Sequence, residues 1–426
     1  MASERLDFGA IPAHRKRPQQ GSARRKFGEA MICTMRKTLA ILFLSVATAA
    51  GAQSFQFHGF VTAREIYVNA QPSWLQGGAG RFDVGADSVN DHKLVNTYNA
   101  QLGFDWTPMS WFLVHADGVA RHQQSGHVAG KRVGLIQAYA DAFNDHWRVR
   151  AGEFWLPTSR ENTDPLWTSK YTITYSALNS WMAQEVRPIG ADLQWSPSFY
   201  VTAGVTAFRG NDTMGTLLAN RGWTFGNYLA AYNENLPTPE PGLTRPFGED
   251  LDGKNGYAER IRVSLPERAL LQFTHIDNRA TLSPGDVKGE EPWKTRFIIV
   301  GAEAGTAAPG TVATEWMRGS TAVGFPGGSF TMNFDTVYVL GSYKFGHERL
   351  SARIERFTTS SAAHSVPDFA REHGHAWTLA WMHETNPHSR AGLEYCRVSG
   401  DRPGLAPGFD PRTGGSTITA EYRYSF

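Results

Sequence analysis

The sequence predicts an all-β fold: a transmembrane antiparallel β-barrel of about sixteen strands with an in-folded third loop. Three observations predict it. Apolar and polar residues alternate with period two over many short segments. The connections between those segments alternate short and long. An apolar leader of the export type precedes them all. In a membrane barrel the apolar face of each strand meets lipid and the polar face lines water, over strands of ~10 residues.

Composition agrees. The 426 residues include 43 Gly and 52 aromatic side chains (13 Trp, 14 Tyr, 25 Phe), which suits strands and turns better than long helices. A mean hydropathy of −0.37 and the lack of any long apolar run in the body exclude a helical membrane bundle. Two cysteines cannot make a disulfide scaffold.

The leader comes first. Thr38-Leu39-Ala40-Ile41-Leu42-Phe43-Leu44-Ser45-Val46-Ala47 follows Met35-Arg36-Lys37 and precedes Ala50-Gly51-Ala52-Gln53. A basic start, a short apolar core and an A-x-A-like site make residues 35–52 a signal peptide, cleaved after Ala52. It is too short to span a bilayer, which needs ~20 apolar residues. Residues 1–34 carry Arg15-Lys16-Arg17 and Arg24-Arg25-Lys26, but eleven residues separate Lys26 from the apolar run. That spacing does not suit a twin-arginine signal, so 1–34 is read as an extension from a start codon assigned too early, with Met35 the true start. Residues 53–426 are left as the barrel. Removing 1–52 takes nine of the 42 Lys/Arg and three of the 40 Asp/Glu, leaving 33 against 37 and a net charge of −4. The basicity of the full chain belongs to its leader, and no nucleic-acid partner is expected. Cys33 leaves too, without the small-residue context of a lipoprotein site, and Cys396 then stands alone.

Along the body the alternation repeats. Ile418, Ala420, Tyr422, Tyr424 and Phe426 share one face, with Thr417, Thr419, Glu421, Arg423 and Ser425 on the other. Tyr98, Ala100, Leu102, Phe104 and Trp106 alternate with Thr97, Asn99, Gln101 and Asp105. Phe112, Val114, Ala116 and Gly118 are set against His115, Asp117 and Arg121. Strands are expected over 54–68, 93–106, 111–122, 131–143, 146–155, 187–196, 198–209 and 256–265. The second half continues with 268–278, 293–304, 310–320, 333–345, 347–358, 374–384, 388–398 and 415–426. Tight turns such as Asn144-Asp145, Ser196-Pro197 and Asn386-Pro387 alternate with connections of about 8 to 46 residues. Short periplasmic turns opposite long outer loops are the pattern of a bacterial outer-membrane barrel. Residues 218–232, with Gly222-Trp223-Thr224-Phe225, are placed in the long fourth loop because a strand there would break the even count. Trp106, Phe143, Trp147, Trp195, Phe199, Tyr343 and Phe345 at strand ends suit aromatic girdles.

The chain ends Tyr422-Arg423-Tyr424-Ser425-Phe426, which resembles the signal by which the barrel-assembly machinery recognises outer-membrane clients. Phe426 is therefore its expected contact. Outer-membrane lipid and lipopolysaccharide are the expected surroundings, and the Gram-negative outer membrane the expected location.

Sixteen strands enclose an aqueous channel. No region of ~100 residues ahead of Ser54 offers a plug, so a TonB-dependent transporter is not expected and the barrel is read as hollow. The third loop, about 156–186, joins Arg160, Glu161, Asp164, Lys170 and Glu185 to the aromatic Leu166-Trp167, Tyr171-Thr172-Ile173-Thr174-Tyr175 and Trp181-Met182, with Arg187 at its far end. Such an apolar loop is costly in water, so it is expected to fold inward as a constriction; the alternative is packing on the rim or on a neighbouring subunit. By strand parity Arg64, Arg121, Arg148, Arg150, Arg260, Arg262, Arg349, Arg353, Arg390 and Arg423 face the lumen. Asp105, Asp117, Asp141, Asp192, Glu315, Glu355, Glu394 and Glu421 face it too. Arg148, Arg150, Arg160, Glu161, Asp164, Lys170, Arg187, Arg260, Arg262, Arg349, Arg353 and Arg423 are the candidate pore-lining and constriction residues. Ten wall arginines against eight wall acids imply at most a weak anion preference. The alternative is that cross-strand pairs merely stiffen the wall.

Gly152-Glu153-Phe154, Pro157, Ser159, Glu161, Tyr171-Thr172-Ile173-Thr174-Tyr175 and Arg187-Pro188-Ile189-Gly190 together resemble the strand–loop–strand block of the phosphate-selective porin O and P family. The resemblance spans about 40 residues. It implies a sixteen-stranded homotrimeric porin whose third loop enters the channel. That family's lysine cluster has no counterpart here, where Lys170 is the third loop's one lysine. The expected function is passive diffusion of small hydrophilic solutes and ions, weakly anion- or phosphate-preferring. A substrate-specific channel for sugars or organic acids is the alternative, and an outer-membrane barrel enzyme such as a lipase is the rival class.

No enzyme motif, metal site or cofactor is expected. His383-Glu384-Thr385-Asn386-Pro387-His388 places its second His one residue late for H-E-x-x-H. Glu249-Asp250-Leu251-Asp252-Gly253-Lys254-Asn255-Gly256 lacks the twelfth-position Glu of an EF-hand. Mass spectrometry of the protein from outer-membrane fractions is expected to show a chain beginning at Gln53; a soluble chain keeping residues 1–34 would overturn the reading of the leader.

Overall fold

The computed structural model describes residues 54–426 except 123, 125, 164–165, 239–241, 283–289, 306–308, 363–369 and 406–408. The leader and Asp164 lie outside the described residues.

The first seven strands are β1 (Ser54–Ala70), β2 (Lys93–Met109), β3 (Phe112–Arg121), β4 (Val133–Phe143), β5 (Trp147–Glu153), β6 (Ile189–Trp195) and β7 (Val201–Arg209). A small hairpin, β8 (Leu236–Thr238) and β9 (Gly242–Thr244), interrupts them. The wall then resumes with β10 (Gly256–Leu265), β11 (Ala269–Asp277), β12 (Trp293–Ala304) and β13 (Gly310–Phe325). It is completed by β14 (Gly328–Phe345), β15 (Glu348–Ser361), β16 (Glu372–Asn386), β17 (Ser389–Asp401) and β18 (Gly415–Ser425). All but β8 and β9 form one closed antiparallel barrel of sixteen strands, in which β7 pairs with β10 and β18 with β1. Closure leaves no sheet edge, so every wall strand finds its hydrogen bonds within the sheet.

The predicted faces are the observed ones. Along β1 even-numbered residues from Thr62 to Ala70 are buried and odd-numbered ones exposed. In β18 Ile418 and Tyr422 face outward while Thr417, Thr419 and Glu421 are enclosed. The exposed side chains at mid-strand include Val61, Leu102, Val205, Ile261, Val263, Leu271, Val339, Ile354, Leu379 and Leu393. A band so apolar needs an apolar surrounding phase. Trp147 and Trp195 stack outside the short-turn end with ring centroids 6.0 Å apart, and Tyr343 stacks on Phe345 at 6.3 Å. At the seam the Gly59 and Phe426 backbones exchange two 3.0 Å hydrogen bonds. A Cβ on Gly59 would lie 2.9 Å from the Phe426 ring, so glycine there lets the terminal aromatic cover the seam.

One connection departs from the predicted alternation. The expected loop over 321–332 is strand instead: β13 and β14 run on to a two-residue turn, Pro326-Gly327, with Gly327 at φ 89°. Alternation weakens over Ala322-Val323-Gly324-Phe325, which is why the sequence pattern stops short there.

The interior is the larger surprise. The barrel is not hollow. Residues of the first loop (Phe82, Val84), the third (Trp155, Trp167, Leu178, Trp181, Met182) and the fourth (Met214, Trp223, Phe225) share one core with inward-facing Ile66, Val119, Phe297, Ile299, Phe334 and Phe357. The third loop contains helix α1 (Ala177–Glu185) and the fourth contains α2 (Thr216–Arg221). The Trp181 ring meets Phe297 at 5.1 Å, Phe334 at 5.3 Å and Trp223 at 6.1 Å. Trp181→Ala empties the middle of this core and is expected to lower stability by about 3–5 kcal/mol. Earlier proteolysis within the third loop, in a barrel that stays heat-modifiable on gels, is the readout.

Candidate functional site: the barrel interior

The third loop leaves β5 and reaches β15, the eighth strand away in a ring of sixteen and so diametrically opposite. Arg353, only five residues above the start of β15, is where it arrives. There Arg353 pairs with Glu161 and donates to the Thr174 carbonyl at 2.7 Å and to Glu355 at 2.9 Å. Both Arg353 and Glu161 are fully buried. Glu161 also accepts from the Ser176 backbone at 2.9 Å and from Asn179 Nδ2 at 3.0 Å.

Three wall carboxylates then take up N–H donors of the loop, two of them from its backbone and one from a side chain. Glu394 on β17 accepts from Ile173 at 2.6 Å and from Thr174 at 2.9 Å. Glu355 accepts from Ala177 N at 2.8 Å, at the first turn of α1, where negative charge suits the helix dipole. Glu315 on β13 accepts from Asn179 Nδ2 at 3.1 Å. Ser176 caps α1 by accepting from Asn179 N. Elsewhere Gln101 on β2 donates to the Leu166 carbonyl, Gln272 on β11 to that of Pro157, and Gln137 on β4 accepts from Trp155 N. A buried segment has to satisfy its backbone this way.

The fourth and first loops are tied to the third. Glu185, at the end of α1, accepts from Leu217 N at 2.8 Å and Leu218 N at 3.1 Å in α2. Burial raises its pKa. Tyr175 N donates to the Gly226 carbonyl, Ala230 N to that of Ala183, and Phe225 N to that of Arg81. Glu372 on β16 pairs with both Arg81 and Arg402.

The predicted wall arginines all have inward partners, mostly acids. Arg148 and Arg150 share Asp141, and Arg260 makes two 2.6 Å bonds to Asp192. Glu421 draws three arginines, Arg64 at 2.7 Å, Arg390 at 3.1 Å and Arg423 at 3.5 Å. Arg262 has only Thr202, at 3.3 Å, and Arg349 bonds Ser342 at 3.0 Å. Of the loop residues, Arg160 donates to Gln272 at 3.2 Å. Lys170 lies over the Tyr171 ring. Arg187 bonds Glu153 at 2.8 Å between the Trp155 and Phe247 rings. Arg187, Arg353 and Glu161 thus sit inside the packed interior rather than on an open lumen, because the loops that cover them are themselves inside.

Among the described residues, two cavities lie along the β1–β3 and β16–β18 side. One of about 100 Å³ lies toward the long loops and is lined by Arg64, Arg121, Lys131, Asp83 and His127 among others. The second, of about 1060 Å³, lies at the short-turn end and includes Lys344, Glu384, Arg390, His58 and Asp105. Phe60, Thr168 and Arg423 border both, with the Arg423 guanidinium 4.4 Å from the centre of the Phe60 ring. Across the two cavities the lining holds six Lys/Arg (Arg64, Arg121, Lys131, Lys344, Arg390, Arg423) and three acids (Asp83, Asp105, Glu384). Burial raises the pKa of Asp83, and burial with the Arg121 charge pushes His127 down to about 4, so His127 is neutral at pH 7.

Sequence parity found Arg423 and Arg64 but not Phe60 or Thr168, nor the loop-holding role of Glu315, Glu355 and Glu394. One signal was available. Phe297-Ile298-Ile299-Val300 and Ile66-Tyr67-Val68 are apolar on both faces, the mark of a strand covered on both sides.

Fold and interior together define a sixteen-stranded outer-membrane-type β-barrel whose own loops fill much of its lumen. Solved structures share this fold. The outer membrane channel DcaP of Acinetobacter baumannii matches with a TM-score of 0.57 and 13% identity, over 89% of this chain and 99% of that one. The anion-selective porin from Comamonas acidovorans matches at 0.55 and 12%, over 88% and 100%. OmpT of Vibrio cholerae, an outer membrane protein in its trimer form, matches at 0.53 and 10%, over 88% and 100%. At such identities the likeness is one of fold. No family model and no curated protein sequence matches the chain.

Arg353→Met leaves Glu161 and Glu355 buried without their cation and is expected to cost about 3–5 kcal/mol. Urea unfolding should show most of that loss recovered in the double variant Arg353→Met, Glu161→Gln; two additive losses would mean the pair is not coupled.

Proposed function

We propose that the protein is an outer-membrane porin, exported with cleavage of its signal peptide, that passes small hydrophilic solutes and ions by passive diffusion without catalysis. The observation that carries this is the pair of cavities meeting at Phe60, Thr168 and Arg423. Both are lined by the β1–β3 and β18 side of the wall and share the third-loop residue Thr168, and six basic residues against three acids give their lining a positive balance. Charged side chains lining a pore set its ion preference. Weak anion preference follows, since Glu421 and the other wall acids offset most of the remaining arginines. The third loop forms the constriction, and Arg148, Arg150, Arg160, Glu161, Lys170, Arg187, Arg260, Arg262, Arg349 and Arg353 act chiefly by fixing that loop and the wall behind it. The short-turn end faces the periplasm. Phosphate is the finer candidate solute, resting on the family resemblance of the third-loop block. A homotrimer is the assembly we infer, supported by the trimeric form of a protein with the same fold.

Planar-bilayer recording in a KCl gradient tests the proposal. Open channels with a reversal potential of weak anion sign are expected. Arg423→Ala should shift that potential toward cations and change the unit conductance by about twofold or more. Phosphate, sugars and organic acids added as blockers separate a general channel from a substrate-specific one. A folded, heat-modifiable barrel that never conducts would overturn the porin and direct the next assay to ester hydrolysis.

A further inference from the structure

The cavity at the short-turn end holds a cluster of which the transport reading uses only the charge of Asp105. His58 on β1, Asp105 on β2 and His115 on β3 face inward on three adjacent strands and line that cavity. Register brings them together. Asp105 stands directly across from His115, while His58 stands across from Gly103. One ligand atom from each of the three lies within 4.8 Å of the others. Asp105 Oδ1 is 2.6 Å from His115 Nδ1, and Asp105 Oδ2 is 3.6 Å from His58 Nδ1.

We propose that His58, Asp105 and His115 form a binding site for a divalent transition-metal ion of the zinc class. Two imidazole nitrogens and one carboxylate suit Zn²⁺, Ni²⁺ or Cu²⁺ rather than Mg²⁺ or Ca²⁺, which prefer all-oxygen shells. Metal–ligand bonds of about 2.0–2.2 Å at tetrahedral angles separate neighbouring ligand atoms by roughly 3.4 Å, within the spread seen here. Three protein ligands leave a fourth position, and it faces the cavity.

The surroundings are built for this. The second nitrogen of His115, Nε2, lies 3.0 Å from Asp117 Oδ2, which fixes the ring and leaves Nδ1 to the cluster. Asp117 is itself held by Gln137 at 2.8 Å and Gln101 at 3.2 Å. A metal-bound histidine whose other nitrogen meets a hydrogen-bonded carboxylate is the usual second layer of such sites. The His115 ring stacks on Tyr139, centroids 4.7 Å apart, so it cannot swing away. Gly103 supplies the remaining condition. A Cβ there would lie 2.4 Å from His58 Nε2, so only glycine lets the His58 ring lie across the wall toward His115. The two carboxylates, Asp105 against the cluster and Asp117 behind His115, complement a divalent cation.

Calorimetric titration of the chelator-stripped, folded barrel with ZnCl₂ at pH 7.5 tests this, and its outcome does not depend on whether the barrel conducts. One equivalent is expected to bind. His58→Gln and His115→Gln should each weaken binding at least tenfold. Asp117→Asn and Gly103→Ala, which keep all three ligand residues but disturb how they are held, should weaken it by about 10- to 100-fold. Heat-modifiable migration shows that each variant is folded. Absence of binding by the unaltered protein, or equal binding by all four variants, would overturn the site.

Discussion

Everything inside this barrel depends on how the backbone of the third loop is satisfied away from water. A buried N–H without a partner costs free energy comparable to a lost hydrogen bond. The wall meets that demand with carboxylates: Glu394 for Ile173 and Thr174, Glu355 for Ala177, with Glu161 of the loop itself for Ser176. Arg353 then balances the acids it touches, Glu161 and Glu355. Remove that cation and the carboxylates that hold the loop become charges that burial penalises.

The same economy explains why so many charged side chains line the wall without producing a strong field. Arg260 is spent on Asp192, Arg148 and Arg150 on Asp141, and three arginines converge on Glu421. What is left over is local. Around Arg423 and Arg64 the balance is positive, and around Asp105 and Asp117 it is negative. Arg64 and Asp105 line two cavities that share Phe60, Thr168 and Arg423, so a solute and a metal ion would meet different potentials on this side of the barrel.

The apolar filling of the long-loop half is a packing solution rather than an electrostatic one. Trp181, Trp223, Phe297 and Phe334 meet at T-shaped and tilted angles, as aromatic quadrupoles prefer. Inward-facing Ile66, Val119, Ile299 and Phe357 form the wall of that core. The barrel therefore differs along its axis, packed toward the long loops and more open toward the short turns, where the larger cavity lies.

The sequence by itself determined the barrel, because alternation is a local property: in a strand, neighbouring side chains have no choice but to face opposite sides. Even β18 and the inward set from Arg64 to Arg423 could be assigned from parity alone. The ends of β13 and β14 lie beyond the strands that alternation predicts, since Thr321 to Gly324 are buried on both faces and carry no period of two. The interior was decided only by tertiary structure. That the third loop bears aromatics was legible, but which wall strand would receive it was not, because Glu161 and Arg353 are 192 residues apart and nothing local links them. The same holds for His58 and His115. Their meeting over Gly103 depends on the register of the β1–β2 and β2–β3 ladders, which the alternation of single strands does not fix.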